Sequence, residues 1–258
     1  MRLVKVTLIS VFLCAVSLSA QTLDEIIARN FQAHGGIAKA KAIKSVRITG
    51  NFDAGGIQGK FTQVFKRPSN IRLDATIQGV TITQAYDGQS GWQIIPFTGQ
   101  NTPAAMSGDD LKQIQEEADF DGPLMDYKQK GIAVQLIGKE KVDGADAYHL
   151  HVTLKNGDVR DLYLDATTFL MSKMVGKIVA QGTPTTRETK VSDYRDVEGV
   201  KFPFSSAQQS LDGLIPDQKV TIEKIELNVP VEDSLFKMPA PTPAPAPAAE
   251  QPKKPALR

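Results

Sequence analysis

The chain has 258 residues, of which 41% are apolar and 23% are charged, and these values suit one globular domain with short extensions. Thirty Lys and Arg residues stand against 29 Asp and Glu residues, so the composition gives no argument for binding nucleic acid or an anionic membrane surface. The single cysteine, Cys14, lies within the first twenty residues. The remaining chain therefore has no disulfide, no thiol nucleophile and no thiolate metal ligand.

Residues 1–20 have the pattern of a secretory leader, with a basic start, an apolar stretch and small residues before Gln21. We predict cleavage after Ala20. Cleavage after Ser19 is the alternative, because Leu is an unusual residue at position 18, three residues before a cut after Ala20. The apolar stretch is short for a bilayer span of ~20 residues, which disfavours a retained membrane anchor. Lipidation of Cys14 would need a small residue directly before it. Leu13 occupies that position, which disfavours lipidation. The sequence thus predicts an exported, periplasmic protein.

The mature chain begins with a predicted amphipathic helix over Thr22–Ala33. Thr22 and Glu25 have the spacing of a capping box, apolar residues follow on one stripe, and Gly35 and Gly36 supply the stop. A shorter helical stretch is predicted from Ile37 to Ile43.

From Ser45 onward, apolar and polar residues alternate in short runs separated by turn residues, the pattern of strands with one buried face. The clearest stretch is 64–97, where three such runs are joined by a Lys-Arg-Pro corner, a break at Gly79 and an Asp-Gly turn. The runs predict ten or eleven antiparallel strands in a large curved sheet, open or nearly closed. The predicted fold class is α+β and mainly β.

A polar interruption separates the two groups of strands. Residues 98–106 are turn-rich, residues 107–118 predict a helix with Leu111 and Ile114 as its main apolar pair, and residues 120–127 predict a further helical turn with Leu124 and Met125. Elements with few buried residues are those that move most easily. We therefore predict that this insertion is a lid. At the other end, residues 239–258 are rich in Pro and Ala and predict a disordered tail after a domain that spans 21–238.

The sequence offers little evidence for catalysis. His149 and His151 project from one face of a predicted strand, but a two-residue Asn156-Gly157 turn would place Asp161 on the opposite face, leaving no third metal ligand. A nucleophile elbow has the pattern Gly-x-Ser-x-Gly. Gly88 and Ser90 fit this pattern, but Trp92 stands where the second glycine is required. We therefore predict a protein that is not an enzyme and has no metal and no cofactor.

The apolar residues on the strands outnumber what the predicted helices can cover. An ordinary packed core is one explanation, and an incompletely filled concavity for an apolar ligand is the other. The candidate cavity residues lie on the early strands and are Val46, Ile48, Phe52, Phe61, Phe65, Ile71, Leu73, Ile77, Ile82 and Trp92.

Several segments resemble the periplasmic lipoprotein carrier LolA and its relatives. They are FKRPSNIR, AYDGQSGW with a proline two residues after Ile94, DLYLDATTFLMSKM, and VSDYRDVEGVKFPFS, and the resemblance spans roughly residues 22–238. It implies an unclosed antiparallel β-barrel with helices as plug and lid, and a non-enzymatic carrier of acylated lipoproteins or other lipids. It also implies that Arg67 hydrogen-bonds the lid backbone in the closed state. Ile71 stands where the carrier has a cavity-lining aromatic residue.

Two functions remain open from the sequence. The first is a monomeric carrier of lipid or lipid-modified protein, served by envelope membrane proteins that donate or accept the cargo. The second is an envelope sensor that uses the same fold to detect lipidated ligands, with the proline-rich tail as a spacer or partner-binding segment.

Overall fold

The computed structural model describes residues 21–180 and 183–240. The predicted leader and residues 241–258 of the predicted tail lie outside the described residues. The leader, the tail and the domain boundaries that depend on them therefore remain predictions.

Three α-helices occur in the described part of the chain: α1 (Leu23–Ala33), α2 (Ile37–Ala42) and α3 (Gly108–Glu117). The predicted capping box at the start of α1 is confirmed, since the Glu25 backbone N–H donates to Thr22 Oγ1 at 3.3 Å and the Thr22 N–H donates to Glu25 Oε2 at 3.0 Å. Residues 120–127 form turns rather than the predicted helical turn.

Thirteen strands occur in the described residues, against the ten or eleven predicted. They are β1 (Ser45–Ala54), β2 (Ile57–Lys66), β3 (Asn70–Ile77), β4 (Val80–Asp87), β5 (Gly91–Ile95), β6 (Gln100–Ala105), β7 (Ala133–Val142), β8 (Ala145–Thr153), β9 (Val159–Asp165), β10 (Met171–Ala180), β11 (Thr183–Val197), β12 (Val200–Ser210) and β13 (Gln218–Leu227). The stretch predicted as polar turns contains β6, a strand whose composition gives no alternation to detect.

All thirteen strands form one antiparallel sheet in the order β6-β5-β4-β3-β2-β1-β13-β12-β11-β10-β9-β8-β7. The first strand pairs with the last, so both halves of the chain extend outward from the middle of the sheet. The sheet does not close, which confirms the predicted open half-barrel. Its two edge strands, β6 and β7, follow one another in sequence, and the segment that joins them contains α3.

The helices pack on one face of this sheet, which we call the inner face. Cross-strand partners place Val46, Phe65, Ile71 and Tyr86 on this face, next to one another on β1 to β4. Ile71 and Tyr86 form a core cluster with Ile114 of α3. Strands β8 and β9 supply a second core cluster, in which Ile26 and Ile27 of α1 pack against five buried residues of the sheet: Tyr148, Leu150, Val152, Leu162 and Leu164. Helix α1 thus covers the late strands and α3 covers the early ones.

Candidate ligand cavity

A cavity of about 370 Å³ lies between α1, α2, residues 120–125 and strands β9 to β12. Most of its lining is apolar. The lining side chains include Phe31, Ala40, Ile43, Phe120, Leu124, Met125, Leu162, Leu164, Met171, Met174, Val200 and Phe202. This volume falls within the ~300–1,000 Å³ range of small-molecule sites. The cavity can therefore hold an apolar group.

Helix α1 reaches the cavity because its apolar stripe continues past the core. Ile26 and Ile27 are buried against β8 and β9, and Phe31, one turn further, lines the cavity. Asn30 fixes the end of the helix, since its side-chain amide donates to the Phe169 carbonyl at 2.7 Å across the β9–β10 turn. Helix α1, which forms one wall of the cavity, is thus fixed at its start by the capping box and near its end by the Asn30 hydrogen bond.

Arg67 fastens the cavity's cover. Its guanidinium binds both carboxylate oxygens of Asp121 at 2.5 Å and also donates to the backbone carbonyls of Ile43, at 2.6 Å, and Ala40, at 3.1 Å. The guanidinium carbon lies 5.2 Å from the centre of the Phe120 ring. These contacts join β2, α2 and the segment that covers the cavity at a single side chain.

The Arg67–Asp121 pair is largely shielded from water, with 24% and 19% of the two side chains exposed. The hydrogen bonds from Arg67 lower the pKa of Asp121, and Asp121 in turn raises the pKa of Arg67. Both groups are therefore charged at neutral pH. The resemblance implied a bond to the lid backbone. In the structure, Arg67 bonds the α2 backbone and reaches the lid through the Asp121 side chain.

Three further ion pairs involve residues 119–132, which we call the lid segment. One of them, Lys128–Asp24 at 3.4 Å, is exposed on the surface. The other two shape the segment. Lys130 binds Asp119 at 2.7 Å and the Gly122 carbonyl at 2.8 Å, which folds the segment onto itself. Lys41 of α2 binds Asp126 at 2.6 Å. Since these two pairs are more exposed than Arg67–Asp121, they contribute less, as surface ion pairs are worth ~0–1 kcal/mol.

Polar groups are few along the cavity wall and most are already bonded. His34 Nδ1 lies 2.9 Å from the Asn30 carbonyl oxygen, and burial lowers the pKa of this imidazole. The Tyr194 hydroxyl donates to the Met171 carbonyl at 2.9 Å, and burial raises its pKa. At neutral pH both groups are therefore uncharged.

Nine of the ten predicted cavity residues lie on the inner face, but on the early strands, and none of the ten lines the 370 Å³ cavity. Val46 and Ile71 are fully buried in the core. The remaining seven are half-buried: Ile48, Phe52, Phe61, Phe65, Leu73, Ile77 and Ile82. We call these nine residues the apolar wall. A role for the wall in ligand binding remains a prediction.

Two phenylalanines of the wall lie flat on the sheet. Phe52 pairs with Gly59, and Phe61 pairs with Gly50 on the same two strands. A Cβ at Gly59 would lie 2.4 Å from the Phe52 ring, and one at Gly50 would lie 2.9 Å from the Phe61 ring. Only glycine permits this approach, and the two rings cover backbone that would otherwise be exposed.

Trp92 lies on the opposite face from the other nine residues, so its placement in the cavity needs correction. It pairs with Ala85, whose neighbours on β4, Gln84 and Tyr86, belong to the inner face. Its indole N–H donates to the Phe236 carbonyl at 2.7 Å, and it is 1% exposed. The sequence AYDGQSGW does not fix the length of the turn that follows Asp87. A turn one residue longer or shorter would reverse which face of the sheet Trp92 occupies.

The four predicted lid residues divide into two pairs. Leu124 and Met125 are buried and line the cavity. Ile114 is buried among Ile71 and Tyr86, and Leu111 packs beside it. The predicted insertion therefore contributes both to the cavity cover and to the core above the early strands.

The prediction that Asp161 faces away from the two histidines is wrong. His151 pairs directly with Asp161, and the Asp161 Oδ1 atom lies 2.8 Å from His151 Nδ1 and 2.9 Å from His149 Nε2. Leu154 N–H donates to the Asp158 carbonyl, so the turn holds three residues rather than two, and Gly157 has φ +87°. One extra turn residue shifts the register and reverses which face each side chain occupies.

No group of three or more His, Cys, Asp or Glu residues in the described part of the chain is arranged to hold a metal ion. His149 also contacts Glu140 at 2.7 Å. The two histidines and two carboxylates are hydrogen-bond partners on the outer face of β7 to β9.

Several cavity residues were missed from the sequence. Leu162 and Leu164 on β9 face Met174 and Met171 on β10, and all four lie in the segment DLYLDATTFLMSKM. Their alternation was visible, but nothing in the sequence showed that α1 leaves this part of the sheet incompletely covered. Asp121, the partner of Arg67, was harder to identify from the sequence, where it is only a carboxylate shortly before an apolar stretch.

No helix among residues 21–180 and 183–240 is long and apolar enough to cross a membrane. No protein-family model matches the sequence, and no curated protein matches it.

Three solved structures resemble the fold closely. A DUF1329 family protein from Desulfovibrio piger has 14% identity and a TM-score of 0.57, over 83% of this chain and 96% of its own. A LolA superfamily protein from Nitrosomonas europaea has 14% identity and a TM-score of 0.55, over 82% and 96%. A putative outer membrane lipoprotein-sorting protein domain from Vibrio parahaemolyticus has 11% identity and a TM-score of 0.52, over 77% and 93%. The chain shares the fold of these three structures, one of which is a LolA superfamily protein, and this is the fold that its sequence resemblance implied.

Proposed function

We propose that this chain is a non-catalytic carrier that holds a lipid, or the acyl part of a lipoprotein, inside its half-barrel. The observation that carries the proposal is the apolar cavity of about 370 Å³ beneath a segment that an ion pair, largely shielded from water, fastens to the sheet. The fold supports it, since one protein that shares this fold is a putative outer membrane lipoprotein-sorting protein domain.

The energetics suit reversible capture. Each methylene that moves from water into an apolar site gains ~0.8 kcal/mol, so a long chain is bound by several kcal/mol or more. Release then requires a change in the cavity. A charged hydrogen bond of ~1.5–3 kcal/mol biases a cover toward the closed state without locking it. The Arg67–Asp121 pair has the position and the strength for that task.

Opening of the lid segment would enlarge the apolar surface. Phe120 of the segment packs against Phe65 of the wall, with ring centres 5.8 Å apart. Ile48 and Phe65 also pack in the cluster that contains Ile43, a cavity residue. We propose that the apolar wall joins the cavity when the lid segment lifts, which gives the sequence-predicted residues a role in the open state.

The remaining features of the proposal come from the sequence. Cleavage of residues 1–20 would deliver a monomer to the periplasm. There it would exchange cargo with envelope membrane proteins, and it would need no metal or cofactor. The alternative function, an envelope sensor, depends on residues 239–258, nearly all of which lie outside the described residues.

The proposal is tested by purifying the mature chain from the periplasm of cells that express it with its own leader. Native mass spectrometry with lipid extraction should show bound lipid, and an acyl-chain fluorescent probe should bind the delipidated protein. Met174→Trp, which fills the cavity, should abolish probe binding. Ile137→Trp, at a site that is 54% exposed, is the matched control and should bind normally. Absence of both lipid and probe binding in the unmodified chain would refute the carrier function.

Removal of residues 239–258 separates the carrier from the sensor. The carrier predicts that probe binding and release survive the deletion. Loss of a copurifying envelope partner, with probe binding intact, would favour the sensor.

A further inference from the structure

The cavity lining has one charged residue that forms no ion pair among the described residues. Asp121 and Lys201 are the two charged residues of the lining. Asp121 is bound by Arg67 through both carboxylate oxygens. Lys201 takes part in none of the ion pairs of the described residues, since none brings its ammonium within 4.0 Å of a carboxylate. Asp196 lies opposite Lys201 across β11 and β12, but its carboxylate accepts the Gly199 N–H at 2.8 Å, so the Lys201 ammonium stays available to an anion.

Lys201 lies where the cavity meets water. Its side chain is exposed, and its backbone N–H donates to the His34 carbonyl at 3.0 Å at the end of α1. Burial lowers the pKa of His34, and the positive charge of Lys201 contributes in the same direction. The ammonium therefore lies near the His34 side of the cavity and remains free to meet an anion from solvent.

The size of the cavity limits the apolar part of a ligand. About 370 Å³ is close to the lower end of the ~300–1,000 Å³ range for ligand sites. The lining beyond Lys201 and Asp121 is dominated by Leu, Met and Phe side chains. Methionine adapts its shape to an irregular chain, as Met171 and Met174 can do here. The closed cavity thus suits one flexible chain rather than several.

We infer that the ligand of the closed state is a single-chain amphiphile with an anionic head group, whose chain fills the cavity while its head group binds Lys201 at the mouth. The inference rests on the proposed function. A charge-assisted hydrogen bond between ammonium and carboxylate supplies the selectivity. Because the site is open to water, the selectivity is modest, at about fivefold.

Three probes with the same chain and different head groups test this inference: dodecanoate, dodecanol and dodecyltrimethylammonium. Their affinities are measured on the delipidated mature chain by calorimetry, below the concentration at which each forms micelles. Dodecanoate should bind about fivefold more tightly than dodecanol, and the cation should bind most weakly. Lys201→Met should equalise dodecanoate and dodecanol, and Lys201→Glu should favour the cation.

Lys39 provides the matched control, because its ammonium also lies in this region, 3.5 Å from the Gly199 carbonyl oxygen. Lys39→Met should leave the preference for dodecanoate unchanged. Retention of dodecanol binding in Lys201→Met shows that this variant is folded. Equal binding of the three probes by the unmodified chain, or a preference that survives Lys201→Met, would overturn the inference alone. Failure of all three probes to bind would overturn the carrier function as well.

Discussion

The early and late halves of the sheet are built from similar strands but are covered differently. Strands β1 to β4 carry the apolar wall, where seven residues stay half-buried and two Phe rings lie flat over glycines. Strands β9 to β12 carry fewer half-buried aromatic residues and more Leu and Met, yet they enclose the cavity together with α1, α2 and the lid segment. The position of the enclosed cavity thus depends on where the helices lie. It cannot be predicted from the number of apolar residues on each strand.

The difference in cover predicts a difference in stability, which is the largest effect we expect. Leu150 is fully buried beneath α1, whereas Phe52 is half-buried on the open wall. Leu150→Ala should lower the free energy of unfolding by about 3 kcal/mol, through lost burial and the void left behind. Phe52→Ala should cost about 1 kcal/mol, although Phe is the larger side chain, because less of its surface is removed from water.

Urea unfolding of the two variants measures this contrast. A cost for Phe52→Ala that equals or exceeds the cost for Leu150→Ala would show that the wall is packed as a normal core. The proposed extension of the ligand site over the wall would then be untenable.

A second contrast concerns two arginines that have the same exposure and different positions. Arg67 and Arg72 are each 24% exposed and each binds one carboxylate, but Arg67 reaches Asp121 of the lid segment and Arg72 reaches Asp74 on its own strand. Arg67→Leu should raise amide hydrogen exchange in residues 119–132 by about tenfold or more, as loss of a charged hydrogen bond of ~1.5–3 kcal/mol requires.

Arg72→Leu should leave exchange in residues 119–132 unchanged, since its contacts lie on the outer face with Asp74 and Leu235. Equal effects of the two substitutions would mean that general destabilisation, rather than a latch, opens the lid segment. No effect of Arg67→Leu would remove the latch from the mechanism.

Local patterns predicted the elements well, and long-range packing was beyond their reach. The capping box at Thr22, the strand alternation of residues 64–97 and the chain order shared with the LolA resemblance sufficed for the open half-barrel. The position of the cavity did not follow, because it depends on how α1 and the lid segment pack on strands that are distant in the sequence, more than a hundred residues away in the case of α1. Trp92 and Asp161 show a narrower limit, since one residue in a turn decides the face of a whole strand.

The latch should weaken in acid. Bonding to Arg67 lowers the pKa of Asp121 in the folded protein, so the unfolded chain binds a proton more readily. The contribution of this pair is complete above the ordinary Asp pKa, near ~3.9, and is lost as the pH falls through the lowered value. Comparison of the native chain with Asp121→Asn by urea unfolding should show a difference at about pH 6 that shrinks toward about pH 3. A difference independent of pH would show that the Asp121 charge does not stabilise the closed state.

The smallest expected effect concerns the fluorescence of Trp92, which should not change when ligand binds. It tests whether Trp92 and the cavity lie on opposite faces of the sheet. Trp92 is the only tryptophan, is 1% exposed, and donates its indole N–H to Phe236 on the outer face. Its emission should be that of a buried indole and should stay constant when dodecanoate binds, because the cavity lies across the sheet. Phe202→Trp in a Trp92→Phe background places the fluorophore in the cavity lining, where the same ligand should shift the emission. A ligand-dependent shift at Trp92 itself would mean that occupancy of the cavity is transmitted through the sheet to the Phe236 contact, and the early strands could then no longer be treated as a passive wall.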